Sequence, residues 1–231
     1  MSANYPSVVL GEAGLVSLWR LGEPEGTVAG DSKGTNPGTY KNAPTLGAAG
    51  LIVGDANAAV TLNGTTQWVS IPDSESLDLA DLFTYEAWIK RSANGGTDCI
   101  MDKGPNAGIF RFDGSDHILL RRNSVGDIAK STNTITNDGK PHHVVGTKNG
   151  AAAHVYVDGV DVTGAVTNQT CTNTAIVHQI GASESGAEDF FRGTIDEAAV
   201  YNVALSEAQV KAHYELGIAN NHFMQALGAG S

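Results

Sequence analysis

The chain has 231 residues, 41% of them hydrophobic and 17% charged, and a formal net charge of −11. This length and apolar content are enough for one domain with a sizeable core, whereas the negative charge excludes nucleic acid as a partner, because a phosphate backbone needs a basic surface. No run approaches the roughly 18 consecutive apolar residues of a membrane-spanning helix, so we expect no membrane insertion.

The N-terminal segment, residues 1–13, has neither the basic start nor the apolar run of a secretory signal peptide. We therefore expect a chain that stays in the cell, is packaged into a particle assembled there, or is a piece of a secreted protein. No repeat, charge block or linker divides the next part of the chain, which predicts one domain over residues 14–219. Residues 220–231 end in Gly-Ala-Gly-Ser and are predicted to be a tail or linker.

The first half of the chain is predicted to form short strands, because apolar or alternating runs recur between turn residues. These runs lie at residues 15–21, 59–62, 68–71, 84–90, 108–112 and 117–121. Alternation in the fourth run predicts that Tyr85, Ala87 and Ile89 share one face of their strand. Asn63-Gly64 suits a turn that needs positive φ between the second and third runs.

The second half carries the clearest hairpin signals. Asn149-Gly150 and Asp158-Gly159 are each flanked by apolar runs, which predicts a meander of antiparallel strands. The runs concerned lie at residues 142–148, 152–157 and 160–162, and further strands are predicted at 176–180 and 192–201.

One helix is predicted after the last strand. Ser206 is a candidate N-cap, and Gln209 lies three residues on, as in a capping box. Leu205 and Val210 have the spacing of a hydrophobic staple, and Gly217 is predicted to end the helix in the left-handed conformation. We expect a short surface helix on one edge of the sandwich.

The order of these pieces resembles the laminin-G-like branch of the concanavalin A-like lectins and glucanases. The resemblance rests on segments between about residues 14 and 217: GLVSLWRL, DSKGTN, GTY, VTLNG, WVSIP, FTYEAWI, KPHHVV, VYVDG and FRGTIDE, followed by VYN and LS. Pro141 is a departure, since the family usually has Trp there. The resemblance implies an all-β, antiparallel jelly-roll sandwich with one short C-terminal helix. Residues 5–23 are also similar to the opening of such modules in bacteriophage virion proteins.

Catalysis is not expected. Glycanases of this fold carry three acidic residues on one strand as Glu-x-Asp-x-x-Glu, so that two carboxylates face one way, and the string does not occur here. We interpret Glu184, Glu188 and Asp189 as residues of a solvated loop. The adjacent His142 and His143 would point to opposite faces of a strand and cannot chelate one ion together, so His143 is predicted to pack internally.

The resemblance implies a structural calcium ion between the Asp-rich loop and the closing strand. Carried over to this sequence, its ligands are Asp31, Asn36 and Asp196, and this calcium ion is the only cofactor that we predict. Calcium prefers several oxygen ligands, including carbonyls from an irregular loop, which residues 31–40 can supply. Glu197 is expected to point to the other face of its strand.

Two smaller questions concern the cysteines and tryptophans. Cys99 and Cys171 are either bridged or two buried thiols, and the sequence leaves both readings open. Trp19, Trp68 and Trp88 all lie in strand patterns and are predicted to be core residues and not sugar platforms.

The function that we predict is a non-catalytic recognition or adhesion module that binds a glycan or cell-surface polysaccharide, displayed on a virion or at the cell surface. Two alternatives stay open. One is a structural capsid-decoration or tail protein that binds other virion proteins, and the other is a carbohydrate-binding domain appended to a secreted polysaccharide-degrading enzyme. Fold alone does not decide among them.

Overall fold

The computed structural model describes residues 4–219, and the predicted tail at 220–231 lies outside them. Within this range there are two α-helices, α1 (Tyr5–Gly11) and α2 (Glu207–Ile218), and one 3₁₀ turn (Glu75–Leu77). The strands are β1 (Leu15–Trp19), β2 (Val28–Ala29), β3 (Gly38–Lys41), β4 (Thr45–Ala48), β5 (Ala59–Asn63), β6 (Trp68–Ile71), β7 (Leu82–Arg91), β8 (Cys99–Asp102), β9 (Gly108–Phe112), β10 (His117–Arg122), β11 (Gly126–Thr134), β12 (His142–Asn149), β13 (Ala152–Val157), β14 (Val160–Asp161), β15 (Thr163–Val166), β16 (His178–Ile180) and β17 (Arg192–Tyr201).

The strands form two antiparallel sheets. The eight-stranded sheet has the order β14-β13-β12-β7-β17-β5-β4, with β1 paired to β17. The nine-stranded sheet has the order β15-β11-β10-β9-β8-β16-β6-β3-β2. Their inner faces enclose one apolar core, and the predicted antiparallel β-sandwich is confirmed.

Strand β7 has buried side chains on both faces of the eight-stranded sheet. Tyr85, Ala87 and Ile89 lie in the core between the sheets, as the sequence predicts. Trp88 lies in a second apolar cluster on the outer face of the same sheet. Since successive strand residues point to opposite faces, both sides of this strand are buried.

Both α-helices cover that outer face. Tyr5 and Val9 of α1 and Val210 of α2 pack into the second cluster. Helix α1 was not predicted, because residues 1–13 were assigned only as an N-terminal segment. Its signal was present at Asn4, whose side chain accepts a hydrogen bond from the Ser7 backbone at 3.1 Å in a reciprocal capping box.

Helix α2 begins as predicted and ends differently. The backbone nitrogen of Ser206 donates to the Gln209 side chain at 3.0 Å, which confirms the capping box. Gly217 does not terminate the helix in the left-handed conformation, because the helix continues to Ile218 and the following Ala219 is extended. A Cβ on Gly217 would lie 2.1 Å from the Trp88 ring, so this glycine allows close helix–sheet approach. The helix therefore lies over the outer face of the sheet, between the edge strand β14 and Trp88 on β7.

A buried ionic cluster joins the helices to the sheet. The Glu86 carboxylate accepts hydrogen bonds from Tyr201 at 2.5 Å and Tyr5 at 3.1 Å, and the ring nitrogens of His143 and His213 lie 2.7 and 3.0 Å from it. The predicted internal role of His143 is confirmed. Burial alone would raise the pKa of Glu86, but the charge of His213 and the histidine hydrogen bonds hold it well below its usual range.

Six strands were not predicted, namely β2, β3, β4, β8, β11 and β15, because their sequences lack a clear alternation of apolar residues. Cys99 and Cys171 are both buried and free, so the reading as two thiols is confirmed. Neither helix of residues 4–219 is long and apolar enough to span a membrane.

Candidate functional site

The outer face of the nine-stranded sheet is the candidate functional surface, because both α-helices of residues 4–219 pack on the other sheet. Strand register places outward side chains in one row across this face. Most of this row is polar, and its members are Thr39, Ser70, Gln179, Asp102, Ile109 and Arg121. The side chains next to them along the strands, such as Val69 and Ile180, point into the core.

Four polar residues converge near the middle of this row, and we call them the Asp102 network: Asp102, Asn123, Gln179 and Glu184. The Asn123 amide donates to Asp102 Oδ1 at 3.0 Å and to Glu184 Oε1 at 3.1 Å. The Gln179 amide donates to Asp102 Oδ2 at 3.1 Å. Asp102, Asn123 and Gln179 are buried, whereas Glu184 is partly exposed, so the network holds Glu184 in a fixed position at the surface.

Burial of Asp102 has an electrostatic consequence. It raises the pKa of this carboxyl group to about 6, although hydrogen bonds from the backbone of Gly104 and Glu184 and from Asn123 act in the opposite direction. We therefore expect the Asp102 carboxyl group to change its charge in the mildly acidic pH range.

Loops with strained backbones surround the network. Glu184, Ser185 and Asp189 have φ of 50°, 60° and 50° in the loop between β16 and β17, and Ser124 and Asn106 have φ of 62° and 66° in facing loops. Positive φ is costly for residues other than glycine and tends to occur at functional sites. Five of the twelve such residues within residues 4–219 lie in these loops.

Trp68 lies beneath the loop between β16 and β17. It is 8% exposed, which confirms the predicted burial, but it belongs to neither apolar cluster. A Cβ on Gly186 would lie 2.2 Å from its indole ring, so the loop backbone rests directly on the tryptophan.

The interpretation of this loop as simply solvated is wrong for two of its three acidic residues. Glu184 belongs to the Asp102 network, and Asp189 forms an ion pair with Arg111 and accepts a hydrogen bond from Thr97 at 2.5 Å. Only Glu188 is exposed as expected. Sequence reasoning missed the network because its members come from β8, β16 and two loops that only the sheet order brings together.

The predicted calcium ligands divide into two groups. Asp31 and Asn36 lie together, since the Asn36 backbone donates to Asp31 Oδ2 at 2.9 Å. Asp31 also accepts backbone hydrogen bonds from Leu18 at 3.0 Å and Lys33 at 2.9 Å. Asn36 Oδ1 accepts from Ser74 at 2.7 Å. To bind calcium, each of these oxygens would have to give up a hydrogen bond that it accepts in this structure.

Asp196 fits a cation better. Its Oδ2 accepts from the Leu51 backbone at 2.8 Å, while the buried Oδ1 has no hydrogen-bond partner within the described residues. Burial raises its pKa to about 7. Residues 4–219 contain no group of three or more His, Cys, Asp or Glu side chains arranged to hold a metal, so an ion here would need amide, hydroxyl, carbonyl or water oxygens as well. The calcium site stays a prediction.

Glu197 does not follow the simple strand alternation that was assumed for it. The pairing of β17 with β7 shifts register between Asp196 and Ala199, and Glu197 has φ of 48° in this bulge. Its carboxylate lies 2.6 Å from Arg20, which also contacts Asp55. Burial raises the pKa of Glu197 to about 8, and the charge of Asp196 adds to the effect.

Comparison with known proteins gives a family match and similar folds. A family model described as "Concanavalin A-like lectin/glucanases superfamily" (Laminin_G_3) matches residues 63–211. No curated protein sequence matches the chain.

Among solved structures, domain 4 of AbnA, a GH43 extracellular arabinanase from Geobacillus stearothermophilus, in complex with arabinotriose, has a TM-score of 0.66 at 22% identity, over 88% of this chain and 99% of that one. Trypanosoma rangeli sialidase has a TM-score of 0.66 at 18% identity, and the match covers 88% of this chain and 33% of the sialidase. The binding domain of Paraclostridial Mosquitocidal Protein 1 has a TM-score of 0.65 at 16% identity, over 87% of this chain and 52% of that one. These likenesses show the fold.

Proposed function

Because this chain belongs to the concanavalin A-like lectin/glucanase superfamily, we propose that it is a non-catalytic carbohydrate-binding module. The match to almost the whole of an arabinanase domain solved with arabinotriose supports the proposal, since that domain is a separate unit of a larger enzyme. The fold alone does not select the function, so the site has to carry it.

The observation that carries the proposal is the Asp102 network on the outer sheet face that the helices leave open. Sugars present hydroxyl groups that both donate and accept hydrogen bonds, so carboxylate and amide groups held in one position are suited to them. Glu184 supplies such a group, whereas the buried Asp102 and Asn123 position it without needing to touch a ligand.

The same geometry supports binding without hydrolysis. Glycoside cleavage generally needs two carboxyl groups that flank the scissile bond. In the Asp102 network one of the two carboxyl groups is wholly buried and accepts hydrogen bonds from Gly104, Asn123 and Gln179. We therefore assign Glu184 a role in binding and Asp102 a role in positioning.

The test is a glycan array on the purified chain, followed by titration of each hit against two matched variants. Glu184→Ala should weaken binding by about tenfold or more, since a hydrogen bond to a charged group contributes about 1.5–3 kcal/mol. Glu188→Ala, an exposed acidic residue of the same loop, should leave the affinity unchanged. An array with no reproducible hit would overturn the proposed function, and equal affinities of the two variants would overturn the site.

The setting in which the module works is a separate prediction. Virion display, capsid decoration and attachment to a secreted polysaccharide-degrading enzyme differ in their gene neighbours, which are capsid and tail genes in the first two and glycoside hydrolase genes in the third. Capture of virion proteins by a chain that binds no glycan would favour the capsid-decoration function.

A further inference from the structure

A cleft of about 350 Å³ opens on the outer face of the eight-stranded sheet. It lies beside the part of this face that α1 and α2 cover, and Gly50 and Pro141 form part of its wall. Its polar lining consists mainly of Thr61, Thr194, Ser92 and Lys90. The lining contains no aspartate or glutamate.

Strand register aligns three polar side chains of the cleft with Thr45, which lies outside its lining. Thr45 on β4 pairs with Thr61 on β5, Thr61 pairs with Thr194 on β17, and Thr194 pairs with Lys90 on β7. Neighbouring strands lie about 4.8 Å apart, so this row of three hydroxyls and one ammonium group spans about 14 Å. We call it the Thr–Lys row. The Thr61 and Thr194 hydroxyls are 2.9 Å apart, which places two donor–acceptor groups side by side at its centre.

The positive charge of the row has no acid partner in the described part of the chain. Lys90 is exposed, and within residues 4–219 no carboxylate lies within ion-pair distance of its ammonium group. By contrast, Lys103, Lys130 and Lys148 each pair with an aspartate. An uncompensated cation in a cleft of an acidic chain creates a local positive potential that attracts an anionic group.

The Asp196 carboxyl group on the same sheet face lies behind the wall of the cleft. Asp196 lies two residues beyond Thr194 on β17, but it is 1% exposed. The Leu51 backbone donates to its Oδ2, and a Cβ on Gly50 would lie 3.6 Å from the same oxygen. Since Gly50 and Leu51 also line the cleft, they separate Asp196 from a ligand in it.

We infer that the Thr–Lys row is a second glycan site and that it takes a sugar residue bearing a carboxylate. The Lys90 ammonium group pairs with the carboxylate, and the Thr61 and Thr194 hydroxyls bind the sugar hydroxyls. The inference rests on the proposed function for its ligand class. It places the acidic sugar on the opposite sheet from the Asp102 network.

The experiment compares acidic oligosaccharides with neutral counterparts in which the carboxylates have been reduced to alcohols. The probes are trigalacturonate, an oligoglucuronate and a sialylated trisaccharide, titrated calorimetrically at low and high salt. At least one acidic probe should bind, its affinity should fall as salt screens the Lys90 charge, and its reduced counterpart should bind at least tenfold more weakly.

Variants assign the binding to the row. Lys90→Met should lower the affinity for the acidic probe at least tenfold. Lys90→Arg should retain most of the affinity, because the positive charge is kept. Lys33→Met is the matched control, since Lys33 is exposed, lacks an acid partner within residues 4–219 and lies outside the cleft. A thermal melt of each variant shows that it is folded, and Thr194→Val tests the hydroxyl contact without touching the charge.

The outcomes separate this inference from the proposed function. Loss of acidic-probe binding in Lys90→Met, with Glu184→Ala unaffected, supports the second site. Acidic binding that Lys90→Met leaves unchanged, or binding of neutral glycans with none of the acidic probes, overturns the second site and leaves the carbohydrate-binding proposal standing. Absence of binding to every neutral and acidic glycan overturns both.

Discussion

Glu86 is the residue on which the attachment of both helices to the sheet depends most directly. Its carboxylate is fully buried and accepts hydrogen bonds from side chains of α1, β12, β17 and α2. Removing one member of a buried ionic cluster leaves its partners desolvated and unpaired.

We therefore expect Glu86→Ala to lower the free energy of unfolding by about 3–5 kcal/mol. Glu25→Ala, at an exposed position, should change it by no more than about 0.5 kcal/mol. Urea denaturation followed by tryptophan fluorescence measures both. A loss of under about 1 kcal/mol in Glu86→Ala would mean that the cluster does not hold the helices.

His213 should make stability depend on pH. Burial alone would lower its pKa, but the charge of Glu86 and the hydrogen bonds with Glu86 and Glu12 raise it to about 8. A histidine with a raised folded-state pKa contributes stability that is complete below its unfolded pKa of about 6.5 and is lost as the pH rises through about 8. The contribution amounts to about 2 kcal/mol.

The check is urea denaturation at pH 6 and pH 9 on the wild type and on His213→Gln, which removes the titration. The wild type should lose about 2 kcal/mol more than the variant between the two pH values. If the wild type and the variant lose the same unfolding free energy, the pH dependence belongs to other groups. Asp196 and Glu197 are candidates, because their pKa values are also raised.

At the scale of elements, α2 shows how packing overrides helix propensity. Gly217 lies in the last turn, where alanine would be favoured by about 1 kcal/mol if the helix were isolated. Its α-carbon faces Trp88 so closely that any side chain meets the indole ring. The sheet therefore selects a residue that the helix alone would disfavour.

We expect Gly217→Ala to destabilise the protein by about 1–3 kcal/mol, the usual cost of overpacking. The opposite exchange at an exposed position of the same helix, Ala212→Gly, should cost only about 1 kcal/mol through propensity. Combining Gly217→Ala with Trp88→Phe should cost less than the sum of the two single changes, because the smaller ring makes room. A Gly217→Ala variant more stable than wild type would contradict the close approach.

At the scale of the whole molecule, the predicted calcium ion would join the beginning of the chain to its last strand. Asp196 has the unpaired buried oxygen that such an ion would satisfy, and its carboxyl group, like that of Glu197, has a raised pKa. Raised carboxyl pKa values cost the folded state stability as the pH rises toward 8, so an ion that pairs with them should matter most at alkaline pH.

We expect calcium at a hundredfold excess over Kd to stabilise the fold by about 2.7 kcal/mol, which corresponds to a melting shift on the order of 5–10 °C. The shift should be larger at pH 8 than at pH 6, and Asp196→Ala should remove most of it. Melting curves in calcium and in chelator measure it. If the wild type melts at the same temperature in calcium and in chelator, and no ion copurifies, the site does not exist. If calcium shifts the melting temperature of Asp196→Ala as much as that of the wild type, the ion binds at other residues.

Periodicity and turn chemistry were enough to predict much of the fold from the sequence. The alternation of Tyr85, Ala87 and Ile89 and the Ser206–Gln209 capping box are confirmed because they depend on residues close together in the chain. Strands β2, β3, β4, β8, β11 and β15 and helix α1 escaped prediction because little apolar alternation marks them and their stability comes from packing.

The two candidate sites could be located only from the tertiary structure. Asp102, Asn123, Gln179 and Glu184 are up to 82 positions apart and become neighbours because β8 and β16 are adjacent and the β10–β11 and β16–β17 loops meet beside them. The Thr–Lys row likewise exists only because β4, β5, β17 and β7 lie side by side in one register. Local sequence determines which face of a strand a side chain occupies, whereas its neighbours on that face depend on strand order, which is set by burial of the whole core.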